Sequence, residues 1–370
     1  MNQFITPESP RPRSRFWDLV RGIGILAIVM GHSCHFVIQY VYAFHLAVFF
    51  FVSGYLYQEG KYGLRPFDHF AAKLRSAWPR YVFYMWVFIL CHNLFLRIGI
   101  DSSGVVYGRS NMLVFLCNTV VFQGAELMGG AMWFVPVWVL ACGIFGGSVW
   151  FALRFLPDRQ WMGRPLYQLG EAALSLLFGL TGCMMIFRQL YLSYQLHLAF
   201  LVQPFFAAGW LLRCQLPCLK RWLKWYGALG CGVLFVFLLK HYQLYVDVTM
   251  GRIGDGWQYY LVALLGIYCC MYLASVLEKI KGLSGVVSLW GRYSFDIMAL
   301  HFFIFKVVDV IYGRFLLGEP AESYSSFPQA YSAQLWPLYA FLGVMLPAAI
   351  GLALEQGGKK LAAYLPKDQS

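Results

Sequence analysis

Within the apolar run FWDLVRGIGILAIVMGHSCHF, Arg21 and His32 are the side chains best suited to act on a ligand. Ten residues lie between them. On a helix, eleven steps of 100° end about 20° beyond three full turns, so the two share a face about 16 Å apart along the axis. His35 falls on the same stripe. An imidazole titrates near pH 6.5 and can accept a proton at neutral pH. A guanidinium is a permanent cation that matches phosphate and carboxylate oxygens. At that separation the two cannot touch, so a shared task needs a ligand long enough to span the gap. A plainer reading has Arg21 snorkelling to the membrane surface and His32 bonded to a neighbouring helix. Two histidines and an arginine on one stripe favour function. Gly22, Gly24 and Gly31 leave room beside them for a helix or a ligand.

Other ionisable groups fall in or beside apolar runs, where burial of a charge is costly. FHLAVFFFVSGYLY holds His45, a weaker catalytic candidate, and Ser53-Gly54, a pair that reads first as tight helix packing. KYGLRPFDHFAAKLRSAWPRYVFY is strongly basic; Arg65, Lys73, Arg75 and Arg80 are suited to phosphates, and equally to setting membrane orientation. SFDIMALHFFIFKVVDVIY holds Asp296, His301, Lys306 and Asp309. Lys306 and Asp309 are spaced to neutralise each other. Asp296 and His301 lie roughly 140° apart, able to line one cavity but not to stack. His92 and His197 have no local partner and read as structural. Cys214 and Cys218 form an isolated CxxxC, a weak metal signal, and no metal is expected. The other cysteines lie in or beside apolar runs and read as packing residues. GxSxG, HExxH, P-loop and dinucleotide glycine motifs are absent.

The elements that must position these groups are membrane helices. Of 370 residues, 60% are hydrophobic and only 12% charged, with a mean hydropathy of +0.59. Soluble domains carry about 25% charged residues. Disordered chains, disulfide scaffolds and most soluble enzymes are excluded. Ten segments are apolar enough to span: about 19–41, 43–58, 79–98, 131–153, 172–187, 195–212, 222–239, 257–277, 293–312 and 336–354. The stretch 112–122 is too short and reads as interfacial or re-entrant. With the N-terminus in the cytoplasm, 21 of the 29 Lys and Arg fall inside, six outside, and Arg21 and Lys306 within helices. That asymmetry follows the positive-inside rule. It accounts for the net charge of +12 without nucleic acid. The expected fold is an all-α polytopic integral membrane protein of about ten transmembrane helices with both termini cytoplasmic. Its parts are a cytoplasmic segment 1–18, a transmembrane domain 19–354 and a cytoplasmic tail 355–370. No cleavable leader or internal repeat is expected. The long outer loops are 99–130, 241–256 and 313–335, the last a candidate lid or saccharide-contacting surface.

Taken in order, several landmarks resemble the acyltransferase-3 family of polytopic membrane proteins. Asp18, Arg21, Gly22 and His32 match its Asp-x-x-Arg-Gly opening and Arg-x10-His spacing. Phe49-Phe50-Phe51-Val52-Ser53-Gly54, after Phe44-His45, is similar to its Phe-rich stretch ending in Ser-Gly. Lys73, Arg75, Pro79 and Tyr81 match its basic loop loosely, Trp133-Phe134 with Pro136 its fourth-helix region, and Ser294 to His301 a late Ser-x6-His. The resemblance implies transfer of an acyl group, acetyl first, from cytoplasmic acyl-CoA to a hydroxyl of a surface saccharide or lipid-linked glycan, in a bacterial inner membrane. On this reading Arg65, Lys73 and Arg75 hold the phosphates of acetyl-CoA and Arg21 guides the donor. His32 is the general base, and His301 or His35 relays protons or positions the acceptor. The rival is a polysaccharide or lipid-linked-intermediate transporter, with the intramembrane His, Asp and Lys as a proton path; a non-enzymatic scaffold or sensor is a third class.

Overall fold

The computed structural model describes residues 13–364 apart from 102, 125, 158, 162 and 216–218. Arg11, Cys218 and Lys367, as well as most of segment 1–18 and the end of tail 355–370, lie outside the described residues. The chain is an all-α membrane protein. Its helices are α1 (Arg15–Ser33), α2 (Ile38–Tyr42), α3 (His45–Tyr55), α4 (Glu59–Tyr62), α5 (Pro66–Ile98), α6 (Arg109–Val120), α7 (Phe134–Phe155), α8 (Leu166–Phe187), α9 (Leu196–Leu201), α10 (Gln203–Gln215), α11 (Trp225–His241), α12 (Trp257–Leu277), α13 (Leu283–Arg292), α14 (Ser294–Val310) and α15 (Ser332–Tyr364). Among the described residues the only sheet is a hairpin of two-residue strands, Gln160–Trp161 and Arg164–Pro165.

A helix occupies each of the ten expected segments. Among the described residues, seven spans are long and apolar enough to cross a bilayer, with α2 and α3 counted as one and α7 with its preceding 3₁₀ turn as another. The bent pair containing α9 and α10, kinked by 45°, makes an eighth. The remaining two, α11 and α14, have 17 residues each. That length rises only about 26 Å, short of a typical hydrocarbon core of about 30 Å. α14 runs on into a π-helical turn, Ile311–Leu316. The 112–122 stretch forms α6, twelve residues long and too short to span.

α1 is the hub, packing against α2, α3, α12, α13, α14 and α15, and it is the most buried of the seven spans. Its glycines allow this. A Cβ on Gly22 would lie 2.1 Å from the Val287 carbonyl oxygen, and one on Gly291 of α13 would lie 1.8 Å from that of Asp18. The two backbones therefore touch, as small residues permit between membrane helices. At the α3–α10 crossing, a Cβ on Gly54 would lie 2.0 Å from the Phe206 carbonyl oxygen, so the glycine of the Ser-Gly pair is a packing residue.

Two apolar clusters flank α1. One gathers Phe50, Phe145, Phe205 and Trp210; the other gathers Phe88, Ile297, Phe305 and Tyr339. Leu46, Phe134, Trp138 and Trp290 pack against both. α1 contributes Leu19 and Val20 to the first cluster and Ile25, Ile28 and Val29 to the second. Cavities that carry the candidate chemistry open along this seam.

Candidate active site

At the Arg21 end of the seam lies a cavity of about 350 Å³ with four cations in its wall: Arg21, Lys73, Arg80 and Arg292. Ser53, Ser76 and Trp138 add polar groups. Helix geometry explains the choice from α5. Lys73, Ser76 and Arg80 recur at three and four residues and share a face, whereas Arg75 is about 200° from Lys73. Arg75 is exposed and lies outside this cavity. Arg65 precedes α5 and borders a separate apolar surface cavity with Phe67 and Trp150. Of the basic run, Lys73 and Arg80 line this cavity with Arg21 and Arg292, whereas Arg65 and Arg75 do not. Arg21 is ion-paired with Asp18, which Arg13 also holds at 2.6 Å, and its buried Nε has no hydrogen-bond partner. Arg292 pairs with Glu355. Trp138 Nε1 donates to Ser53 Oγ at 2.9 Å, and Ser53 donates to the Phe49 carbonyl at 2.7 Å, so Ser53 is oriented in the wall. The Lys73 ammonium sits 5.7 Å from the Trp138 ring centre.

Ile28, Phe134 and Met298 line this cavity and also a second, smaller one of about 90 Å³. These three side chains separate the two cavities and mark the apolar neck that a ligand reaching from one to the other would have to pass. His32, Tyr42, His45, Asp247, Thr249 and Tyr259 are among the polar side chains that line the inner chamber. His32 Nδ1 is 3.2 Å from the Tyr42 hydroxyl. Gly31 makes this contact possible, because a Cβ there would meet the Tyr42 ring at 2.7 Å. The His301 ring lies 5.4 Å from that of His32, centre to centre. His301 Nδ1–H donates to the carbonyls of Ile297 and Met298, both at 3.0 Å. A carbonyl can only accept, so the neutral ring carries its proton on Nδ1 and a lone pair on Nε2. That Nε2 is buried and has no hydrogen-bond partner. His45 is held likewise, Nδ1 to the Val41 carbonyl at 2.8 Å. His32 is the partly exposed ring of the pair and lines the chamber, whereas His301 is fully buried.

Two sequence expectations change. α1 ends at Ser33, so the helical stripe stops before His35, which sits exposed in a turn. Asp296 accepts a hydrogen bond from Tyr84 at 2.7 Å and lines neither cavity. His92, without a partner on its own helix, meets two from outside it, Glu126 at 3.1 Å and Asp101 at 3.5 Å. Lys306 and Asp309 do pair, at 2.9 Å and fully buried. Sequence reasoning missed Tyr42, Trp138, Asp247, Thr249 and Arg292 as wall residues. Asp247 and Thr249 come from a loop more than 200 positions beyond His32, and no local spacing points to them.

Beyond the chamber, Trp133 also lines a third cavity of about 650 Å³. Tyr81, Tyr107, Phe122, Tyr194 and Phe327 supply rings, and Gln123, Glu126 and Gln195 supply polar groups. Phe327 is the contribution of loop 313–335. The Phe302 ring stands between chamber and cavity, 4.8 Å from His32 and 5.0 Å from Phe327. Burial raises the Glu126 carboxyl above its usual range, against the opposing pull of His92. The cavities place cations at one end, shared apolar residues between, and an imidazole that can accept a proton beyond them. A family model described as an acyltransferase domain matches residues 14–355. No curated protein and no solved structure matches the chain.

Proposed function

We propose, because the chain belongs to the acyltransferase-3 family, that it moves an acyl group from cytoplasmic acyl-CoA, acetyl-CoA first, to a hydroxyl of a surface saccharide or lipid-linked glycan. The observation that supports this reading is that Ile28, Phe134 and Met298 line both a cavity walled by four cations and the His32 chamber. Phosphates of the donor bind at Arg21, Lys73, Arg80 and Arg292 through charge-assisted hydrogen bonds. The thin pantetheine arm passes the neck and delivers the thioester carbonyl beside His32. The positive-inside rule assigns the cationic end to the cytoplasm, where acyl-CoA is made.

With Nδ1–H of His32 donating to the Tyr42 oxygen, Nε2 carries the lone pair that accepts a proton. The acceptor hydroxyl loses its proton to Nε2 as its oxygen attacks the thioester carbon. A C–O bond forms, the C–S bond breaks, and the leaving CoA sulfur takes the proton back from the imidazolium. His301 positions His32 rather than touching the acceptor. The third cavity receives the acceptor, with rings to lie against sugar faces and amides and a carboxyl to meet hydroxyls.

The test uses purified protein in lipid nanodiscs with acetyl-labelled acetyl-CoA and extracted surface glycan. Label is expected on the glycan, with one free CoA thiol released for each acetyl transferred. Glycan movement across proteoliposomes driven by a proton gradient, with no label transferred, would instead select a transporter.

A further inference from the structure

We propose that His92, Asp101 and Glu126 form a binding site for one divalent transition-metal cation of the zinc or manganese class, in the wall of the third cavity. His92 lies near the end of α5, Asp101 in the loop that follows, and Glu126 just before the 3₁₀ turn Leu127–Trp133. All three are buried, and one ligand atom from each lies within 4.8 Å of the others. Each residue is tied from behind. His92 Nε2–H donates to the Val105 carbonyl at 2.7 Å. Asp101 Oδ1 accepts from the Ser103 amide at 2.7 Å, and Glu126 Oε2 accepts from the Tyr107 hydroxyl at 3.2 Å. The Tyr107 ring lies flat on the His92 ring, centres 3.5 Å apart. The remaining atoms, Nδ1, Oδ2 and Oε1, converge.

That convergence demands a positive centre. With Nε2 protonated toward a carbonyl, a neutral His92 turns its Nδ1 lone pair on two carboxylate oxygens, 3.1 Å and 3.5 Å away. Three acceptors repel unless a cation or a proton lies among them. Asp101 Oδ2 makes no hydrogen bond, and its side chain is fully buried. A proton on His92 leaves a net charge of −1 buried, whereas one divalent cation with a neutral imidazole brings the cluster to zero. Donor atoms around tetrahedral zinc stand about 3.3 Å apart, the spacing of the two pairs at His92. An imidazole with two carboxylates suits zinc or manganese better than magnesium or calcium. Outer-sphere hydrogen bonds on all three ligands are what such sites use to fix donor orientation. His92 and Glu126 border the cavity, so a fourth coordination position faces it. The metal would also pin the loop after α5 to the start of the 127–133 turn.

The experiment measures metal in full-length protein purified without chelator, by mass spectrometry of the elements. About one equivalent of zinc or manganese per chain is expected after gel filtration. After chelation, added Zn²⁺ or Mn²⁺ is expected to raise the thermal unfolding midpoint. Glu126→Gln and Asp101→Asn, both near-isosteric, are expected to weaken binding at least about tenfold. Wild-type protein that carries neither metal and shows no midpoint shift with either ion would overturn the site and leave a shared proton in the cluster. Variants binding as tightly as wild type would also overturn it, by placing the metal elsewhere. Neither readout depends on acyl transfer, so the two proposals fail separately.

Discussion

Replacing His32 with alanine is expected to lower acyl transfer by about 10²–10⁴-fold, the usual contribution of a well-placed general base. The donor's apparent KM should change little, because the proposed phosphate site lies about 16 Å away along α1. The variant should also remain inserted and monodisperse. His32 is partly exposed to a cavity and forms no backbone crossing, unlike Gly22 or Gly291 on the same seam. The check is label transfer per folded molecule, with gel filtration alongside. His35→Ala is the matched control: its side chain sits in an exposed turn, and near-normal transfer is expected. A His32→Ala rate close to wild type would remove His32 as the base.

Loss of single cations from the cavity at the Arg21 end should act on donor affinity. Hydrogen bonds to charged groups contribute about 1.5–3 kcal/mol each, or about 10–100-fold in binding. Arg21→Ala and Lys73→Ala are each expected to raise KM for acetyl-CoA by that factor with a smaller change in kcat. Arg65→Ala and Arg75→Ala should stay within about twofold of wild type, the usual range for surface changes. Steady-state kinetics over a range of acetyl-CoA concentration separates the two pairs. Equal effects at all four positions would mean that the basic loop acts as a diffuse field and that the cavity does not select its ligands.

Much of this arrangement can be read from one dimension, and the reasons lie in particular residues. Apolar helices announce themselves by length and composition, so each of the ten expected segments holds a helix, although among the described residues only seven, or eight with the bent pair, are long and apolar enough to cross a bilayer. Arg21 and His32 are legible because both lie on one regular helix, where a spacing is also a direction. The same logic fails at His35, since periodicity does not mark the residue at which a helix stops; α1 ends two residues earlier. It also fails at Arg65, Lys73, Arg75 and Arg80, which are one basic run in sequence but three directions in space once Pro66–Ile98 is helical. Lys306 and Asp309 were readable as an i,i+3 pair. His92 with Asp101 and Glu126 was not, because a loop returns the carboxylates to the helix end. Asp247 reaches the His32 chamber only through tertiary packing.

The proposed transfer requires a thioester to travel from the cations to His32 past Ile28, Phe134 and Met298. The most direct measurement is an electron cryomicroscopy structure of the protein with a non-hydrolysable acyl-CoA analogue. Phosphate density is expected against Arg21, Lys73 and Arg80, with the acyl end in hydrogen-bonding reach of the His32 region. Phosphates bound elsewhere, or an acyl group lying on the lipid-facing surface with the neck closed, would contradict the proposed transfer.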